Sequence, residues 1–355
     1  MSDTNLSLGD IIGHAEFAKY FNTEMIAKST LIKSGIAVPD PVISQKIAEG
    51  SGIEGKTLDM PSVDSLDNAG DATVPVEKTG VDGEGVTTSE DTAVINIRRK
   101  KFAVTDIQRI MRTADPMATI VGQQTPYWDK QVQKVFLATI GGIFGANALK
   151  ARVSTAEASD AENSTYGYKN GCGGDMILDL TKASSDAAKF IDKNSIMLAA
   201  QLLGDRKTDL TAVAMNSATA TYLSCLDGNN NTYFKPSTQT DLAQYNGRKI
   251  IEDDMVSVEN DGTGDVATIY LFGKGCVAYN PLPMPHQFEA ERDADKAVDY
   301  IHAWARFILH LRGWKWQGTM SGLAPTNDEL ATAASWKRIW DKKRIPCVML
   351  KGYIA

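Results

Sequence analysis

The sequence predicts an α+β protein, either two domains or one domain with long excursions. Three observations carry that reading. Apolar residues recur at helical spacing from Met117 to Phe144, and they alternate with a period of two across Tyr300–Trp316. Between them, a region over roughly 155–285 mixes short β-branched runs, Gly turns and helical stretches, with enough apolar material for a core of its own. At 355 residues the chain exceeds the usual size of one compact core.

The elements follow in chain order. Residues 1–50 place Ile11, Ile12, Phe17, Phe21, Met25 and Ile26 at helical spacing, then break at Pro39 and Pro41. Too few residues are present to bury these stripes alone, so the segment reads as an arm that docks on something larger. From Asp64 to Asp91 the chain is acidic and rich in Gly and Thr, with Lys78 its only cation. Such a stretch has little to bury and reads as a loop or a mobile hairpin. The β-branched run Thr92–Asp106 then reads as a strand carrying Arg98, Arg99, Lys100 and Lys101.

Asp115-Pro116 is an N-cap followed by Pro at the first helical position. If unbroken to Leu149, the helix it opens spans about 50 Å; Pro126 and Gly141-Gly142 are its expected kinks or ends. Residues 153–185 are polar and Gly-rich, and a helix is expected from about Ser185 to Gly204. LTAVAMN (Leu210–Asn216) reads as a buried strand, SATATYLSCL as a helix, and Asn229–Asn246 as loop. GRKIIEDD, ATIYLFGKG and CVAYN read as strands joined by Gly turns. In the long strand, Ile301, Ala303, Ala305, Phe307 and Leu309 alternate with His302, Trp304, Arg306 and His310. Thr326 and Glu329 form a capping box opening a helix on which Ala333, Trp336 and Trp340 share a face, and IPCVML is a closing strand.

Arm, acidic hairpin, spine helix, α+β region, long strand, closing helix and strand occur in the order of the tailed-phage coat proteins, and the chain resembles that Hong Kong 97-type family. RKKFAVTD with the helix after it is similar to the family's transition from extended loop to spine. LTAVAMNSATATYL, the pair YNGRKIIEDDMVSV and TIYLFGKGCVAY, and HLRGWKW with PTNDELATAASWKRIWDKKRIPCVML are similar to its later elements. The resemblance covers about 90 to 350 by local stretches and 1–90 by position. It implies an N-terminal arm (1–50), an extended loop (51–106), a peripheral domain with the spine helix (107–154), an axial domain (155–290) and a returning peripheral part (291–355). It further implies a structural shell subunit, assembling as pentamers and hexamers of an icosahedral phage head around double-stranded DNA, with rigid-body maturation hinged near the loop and arm. The arm begins almost at Met1, so a separate scaffolding protein is expected, together with a portal. Lys78 lies where some relatives cross-link, but nothing assigns it a partner. A shell of the same fold around a cellular enzyme (an encapsulin-like compartment) is the alternative within the resemblance.

Composition is compatible with this. Hydrophobic content of 43% and charged content of 23% are ordinary for a soluble protein. A net charge of −7 argues against a protein that coats nucleic acid, though not against a container for it. Cys172, Cys225, Cys276 and Cys347 form no CxxC pair, which points to a reducing cytosol. The N-terminus lacks a secretory pattern and no stretch is apolar enough to span a bilayer, so synthesis in a cytoplasm is expected; the resemblance implies that the cytoplasm is the host's and the destination the virion capsid.

Candidate chemistry is sparse. Cys172 on a Gly turn has no recognisable His partner and reads as part of a flexible surface loop. His302 and His310 share a strand face, but eight residues span about 26 Å, too far for one metal; a surface or partly buried role is expected. Glu252, Asp253 and Asp254 are the one group suited to a divalent cation, and a metal-dependent enzyme using them is the reading from a different class; a solvated turn is the simpler one. No nucleotide, hydrolase or zinc-protease motif is present, and no catalytic, metal or cofactor residue is assigned. Of Arg98–Lys101 at most two can project together, and contact with an acidic surface of another subunit is their expected role.

Overall fold

The computed structural model describes residues 34–49, 55–63, 74, 88–111, 116–149, 172–192, 194–226, 234–236, 243–245, 247–284 and 286–354. The arm up to residue 33, Lys78 and most of the acidic segment lie outside them.

Two mixed sheets share one core. The first runs β1 (Ala37–Val38), β11 (Val277–Pro281), β13 (Val298–Leu311), β3 (Thr88–Thr105), β2 (Thr57–Val63), with β12 (Phe288–Asp293) also on β13. The second runs β4 (Ile177–Asp179), β16 (Cys347–Tyr353), β10 (Asp265–Gly273), β5 (Leu210–Met215), β8 (Arg248–Glu252), β7 (Ala243–Tyr245), β6 (Phe234–Pro236), with β9 (Val258–Asn260) also on β10. A small ribbon joins β14 (Trp314–Trp316) to β15 (Trp336–Arg338). The helices are α1 (Pro41–Ala48), α2 (Asp106–Met111), α3 (Pro116–Ala148), α4 (Ser195–Ala200), α5 (Ser217–Leu226) and α6 (Asn327–Ala331).

Helix α3 is the spine. Its 33 residues run without interruption through Pro126 and the Gly141-Gly142 pair, which were expected to bend or end it. Trp128, Val132, Val135, Phe136, Ile140, Ile143 and Phe144 are buried along it. They meet Ala303, Ala305, Phe307 and Leu309 of the first sheet and Ala212, Tyr270 and Phe272 of the second. Phe136 packs on Phe272 at 5.6 Å and Phe144 stacks on Tyr270 at 5.7 Å. The two sheets are therefore joined through one helix face. On its other side the second sheet packs α4 and α5: Ala267, Ile269 and Leu271 point there while Tyr270 and Phe272 point to the spine, so β10 is apolar on both faces. The first sheet's other face is covered at one end by α1, where Ile43 meets Leu58, Met60, Ala93, Ile95 and Ile308.

The hairpin expected around the acidic segment has its root in place: β2 and β3 pair antiparallel from Thr57↔Val94 to Val63↔Thr88. Further along, β3 pairs with β13 from Ile95↔Ile308 to Thr105↔Val298. One 18-residue strand thus serves both hairpin and sheet.

Several expectations need correction. Pro41 does not break the chain; Asp40 caps Val42 and Ile43 and Pro41 opens α1. The helix expected over 185–204 is a chain of short pieces, because Ile191 donates to the Tyr353 carbonyl, Asp192 re-caps the backbone at Asn194 and Ser195, and Gly204 sits at φ 64°. The expected loop over 229–246 contains paired strands at 234–236 and 243–245. Past its capping box, α6 stops at Ala331, and Trp336 turns into β15 to meet Trp316 edge-on at 5.1 Å. Finally, β11, read with the middle region, pairs in the first sheet, and β16, read with the C-terminal part, is central in the second. The chain changes sheets at Gly273, where a Cβ would lie 2.6 Å from Pro346 and 2.8 Å from the Asp209 carbonyl.

Candidate functional site

The basic run sits where β3 crosses β13. Arg98, Arg99, Lys100 and Lys101 lie opposite Ala305, Trp304, Ala303 and His302. The pleat splits the four. Arg99 and Lys101 project beside Trp304, His302 and Tyr300: the Arg99 guanidinium lies 5.5 Å from the Trp304 ring, and Lys101 Nζ lies 3.6 Å from that of Tyr300. Lys101 also pairs with Glu291 at 3.3 Å, and His302 Nε2 meets the same carboxylate oxygen at 2.8 Å. Bonds from His302 and Lys101 hold the Glu291 carboxyl below its usual range. Arg98 faces the other way, partly buried, and donates to Asn327 Oδ1 at 2.8 Å. An open cavity of about 390 Å³ is lined by Arg99, Lys100, Lys101, His302 and Trp304. This is the stretch of sheet face that α1 leaves uncovered among the described residues, and it is cationic with aromatic walls.

The other charged cluster was not expected. Asp91 and His310 are both fully buried, with Nε2 to Oδ1 at 2.7 Å. Arg312 Nε lies 3.3 Å from the second Asp91 oxygen and its Nη1 3.1 Å from Asp40. The Gly313 amide donates to Asp91 as well. Burial raises the Asp91 carboxyl, but His310, Arg312 and Gly313 together outweigh it and hold the group below the usual carboxylate range. His310 therefore has no surface role, and it belongs to a different network from His302. The only sequence signal was a His inside the apolar run Phe307–Leu311, which carries no partner with it.

The remaining candidates are locally engaged. Asp253 Oδ1 accepts from the Met255 amide, and the Asp254 carboxylate accepts from the Ser217 hydroxyl, so two of the three acids brace the turn after β8. No group of three His, Cys, Asp or Glu among the described residues is arranged to hold a metal. Cys172 is half-buried against the shared core rather than on a loose surface loop; burial pushes its thiol up, with Asp175 adding to and Arg338 opposing the shift. No helix among the described residues is long and apolar enough to cross a membrane.

A family model described as major capsid protein 13-like (Gp13-like) matches residues 66–349. The chain belongs to the Gp13-like family of major capsid proteins. Its curated relative from Bacillus phage SPP1, a major capsid protein, is 28% identical over 352 residues and spans 97% of both chains. Among solved structures, the capsid of Ralstonia phage GP4 superposes with a TM-score of 0.55 at 10% identity, over 85% of this chain and 84% of that one. The capsid of cyanophage Pam1 does so with 0.51 at 14% identity, over 85% and 86%. This Gp13-like protein therefore has the α+β fold of the phage capsids, and it is a structural shell protein of a tailed phage.

Proposed function

We propose that copies of this chain assemble as pentamers and hexamers into an icosahedral phage head that encloses double-stranded DNA. The observation that carries this reading is membership of the major capsid protein family along 66–349, with likeness to the SPP1 protein along nearly the whole chain. The shell role requires no catalytic residue, and we assign none, nor any cofactor. A scaffolding protein and a portal are the expected partners, the DNA is held without sequence-specific contacts, and assembly takes place in the host cytoplasm.

In this reading residues 1–50 are the arm and 51–106 the extended loop. The peripheral domain (107–154 and 291–355) contributes α3 and β13, on which β3 and β11 complete the first sheet from outside those bounds, and the second sheet is the core of the axial domain (155–290), with β16 added to it. Arg98–Lys101 contact a neighbouring copy, Arg99 and Lys101 presenting the charge directly. What supports this is the exposed cationic face towards one end of β3 and the acidic sequence that joins the other end of β3, at Thr88, to Val63 of β2. Each contact need be worth only millimolar affinity, about 4 kcal/mol, because several made at once multiply.

The test is electron microscopy of the purified chain, expressed alone and with the scaffold from its gene neighbourhood. Closed icosahedral shells in either sample are the expected result. Small oligomers only, in both samples and across salt and concentration, would overturn the reading.

A further inference from the structure

The Asp91 network joins three parts of the chain that are far apart in sequence. Asp91 belongs to the hairpin strand β3, His310 to the end of β13, Arg312 to the turn just after it, and Asp40 to the segment before α1. Arg312 is the bridge, because its Nε meets Asp91 and its Nη1 meets Asp40 and the Met60 sulfur of β2. Its guanidinium also stacks 5.4 Å from the Trp340 ring, which fixes its plane. A guanidinium fork can satisfy two carboxylates at once, whereas an ammonium is a point charge.

Asp40 divides its work between two oxygens. Oδ1 accepts from the Val42 and Ile43 amides and so caps α1; Oδ2 takes Arg312. At eight residues α1 is well short of the ~12–15 residues an isolated helix needs, so its helical state depends on docking. Four attachments hold it: the cap, Ile43 in the cluster with Leu58, Met60, Ala93 and Ile95, hydrogen bonds among Asp40, Ser44 and Asn280, and a bond from Lys46 to the Asp59 carbonyl of β2. Only the first runs through Arg312; Lys46 reaches the hairpin independently, through β2.

We infer that Arg312 is a coupling clasp: it ties the seating of α1 to the placement of the hairpin strand, so that moving the hairpin root unseats the N-terminal segment. The pull passes from Asp91 through the fork to Asp40 and from there to the helix cap. The clasp works within a single subunit. Its use in assembly rests on the proposed function, in which both the hairpin and the N-terminal segment reach neighbouring copies; a neighbour that gripped one would then alter how the other is presented.

The experiment is hydrogen exchange by mass spectrometry on the full-length unassembled chain, as a double-mutant cycle. Thr92→Val removes the 2.6 Å hydroxyl bond to Asp59 that crosses the hairpin and so loosens the hairpin; because the Asp59 carbonyl also takes Lys46 of α1, every member of the cycle carries Lys46→Met, which removes that direct link. Arg312→Lys keeps the charge but not the fork. Thr92→Val alone is expected to speed exchange over 41–48 by about tenfold, the worth of one charge-assisted hydrogen bond. In the Arg312→Lys background, Thr92→Val is expected to leave 41–48 without further change. If 41–48 still responds to Thr92→Val in that background, the signal travels through the Ile43 packing and the clasp is refuted. Should Arg312→Lys fail to fold, Asp40→Asn substitutes for it, because Asn still caps α1 but offers Arg312 no charge. Loss of shells in microscopy with coupling intact would count against the assembly reading and not against the clasp.

Discussion

Gly142 of the spine helix lies directly beneath the indole of Trp336. A Cβ at position 142 would stand 2.8 Å from Trp336 Nε1 and would overlap the Leu330 carbonyl oxygen, which is the acceptor of the indole N–H at 2.8 Å. The helix and the C-terminal ribbon approach this closely only because the residue has no side chain.

Gly142→Ala sets two effects against each other. In an exposed helix the change gains about 1 kcal/mol from propensity. Here it forces an overlap with backbone, and overpacking costs about 1–3 kcal/mol. The overlap wins, so the variant is expected to unfold at lower urea than the parent, whereas an alanine at Gly141, whose Cβ meets nothing within 4 Å, should raise the midpoint.

Asp91 gives the fold an acid limit. Its carboxyl is held below the usual range, so its contribution to stability is complete above the ordinary value of about 3.8 and is lost as pH falls through the lower folded value. Asp91→Asn takes the buried carboxylate from His310 and leaves Arg312 only Asp40, and is expected to cost about 3–5 kcal/mol at pH 7. It should also flatten the fall in stability below pH 4. Denaturant titrations at pH 7, 4 and 3 read both; a parallel fall in parent and variant would contradict the assignment.

The capping box of α6 is a smaller and cleaner case. Thr326 accepts from the Glu329 amide while Glu329 accepts from the Thr326 and Ser321 amides. Thr326→Ala is expected to cost about 1 kcal/mol, measurable as a shifted urea midpoint with an unchanged slope.

The charge split along β3 separates assembly from folding. Arg99→Glu with Lys101→Glu alters an exposed face, and is expected to leave the folded subunit's circular dichroism and melting nearly unchanged while shell yield collapses. Arg98→Glu removes the partly buried bond to Asn327 and is expected to lower stability before it lowers assembly. Equal yields from the Arg99/Lys101 double variant and the parent would end the contact proposal for those two residues.

What could be read in the sequence was local. The capping box, the alternation of β13 and the helix after Leu210–Met215 all depend on residues within a few positions of one another, and the hairpin root followed from the turn-rich acidic run between two extended stretches. The spine helix was also legible, although Pro126 and Gly141-Gly142 suggested ends that packing against two sheets overrides. What escaped was set by distant partners. Asp91 and His310 are 219 residues apart, and an aspartate closing an acidic run gives no sign that it is buried. Trp336 shared a helical face on paper, yet Trp316 and the Leu330 carbonyl draw it into a ribbon. The site was half legible for the same reason. The pleat predicts that the basic run divides, but not that Arg98 is the member taken up by Asn327.

The position of β16 bears on how the protein is made. This strand, residues 347–353, lies between β4 and β10 and pairs with both. While the ribosome still holds it, β10 has an empty flank and Ile269, Leu271 and their neighbours face no Val348 or Leu350. A nascent chain can therefore close the first sheet's β3–β13 pairing before it can close the second, and a product terminated before Cys347 never closes it.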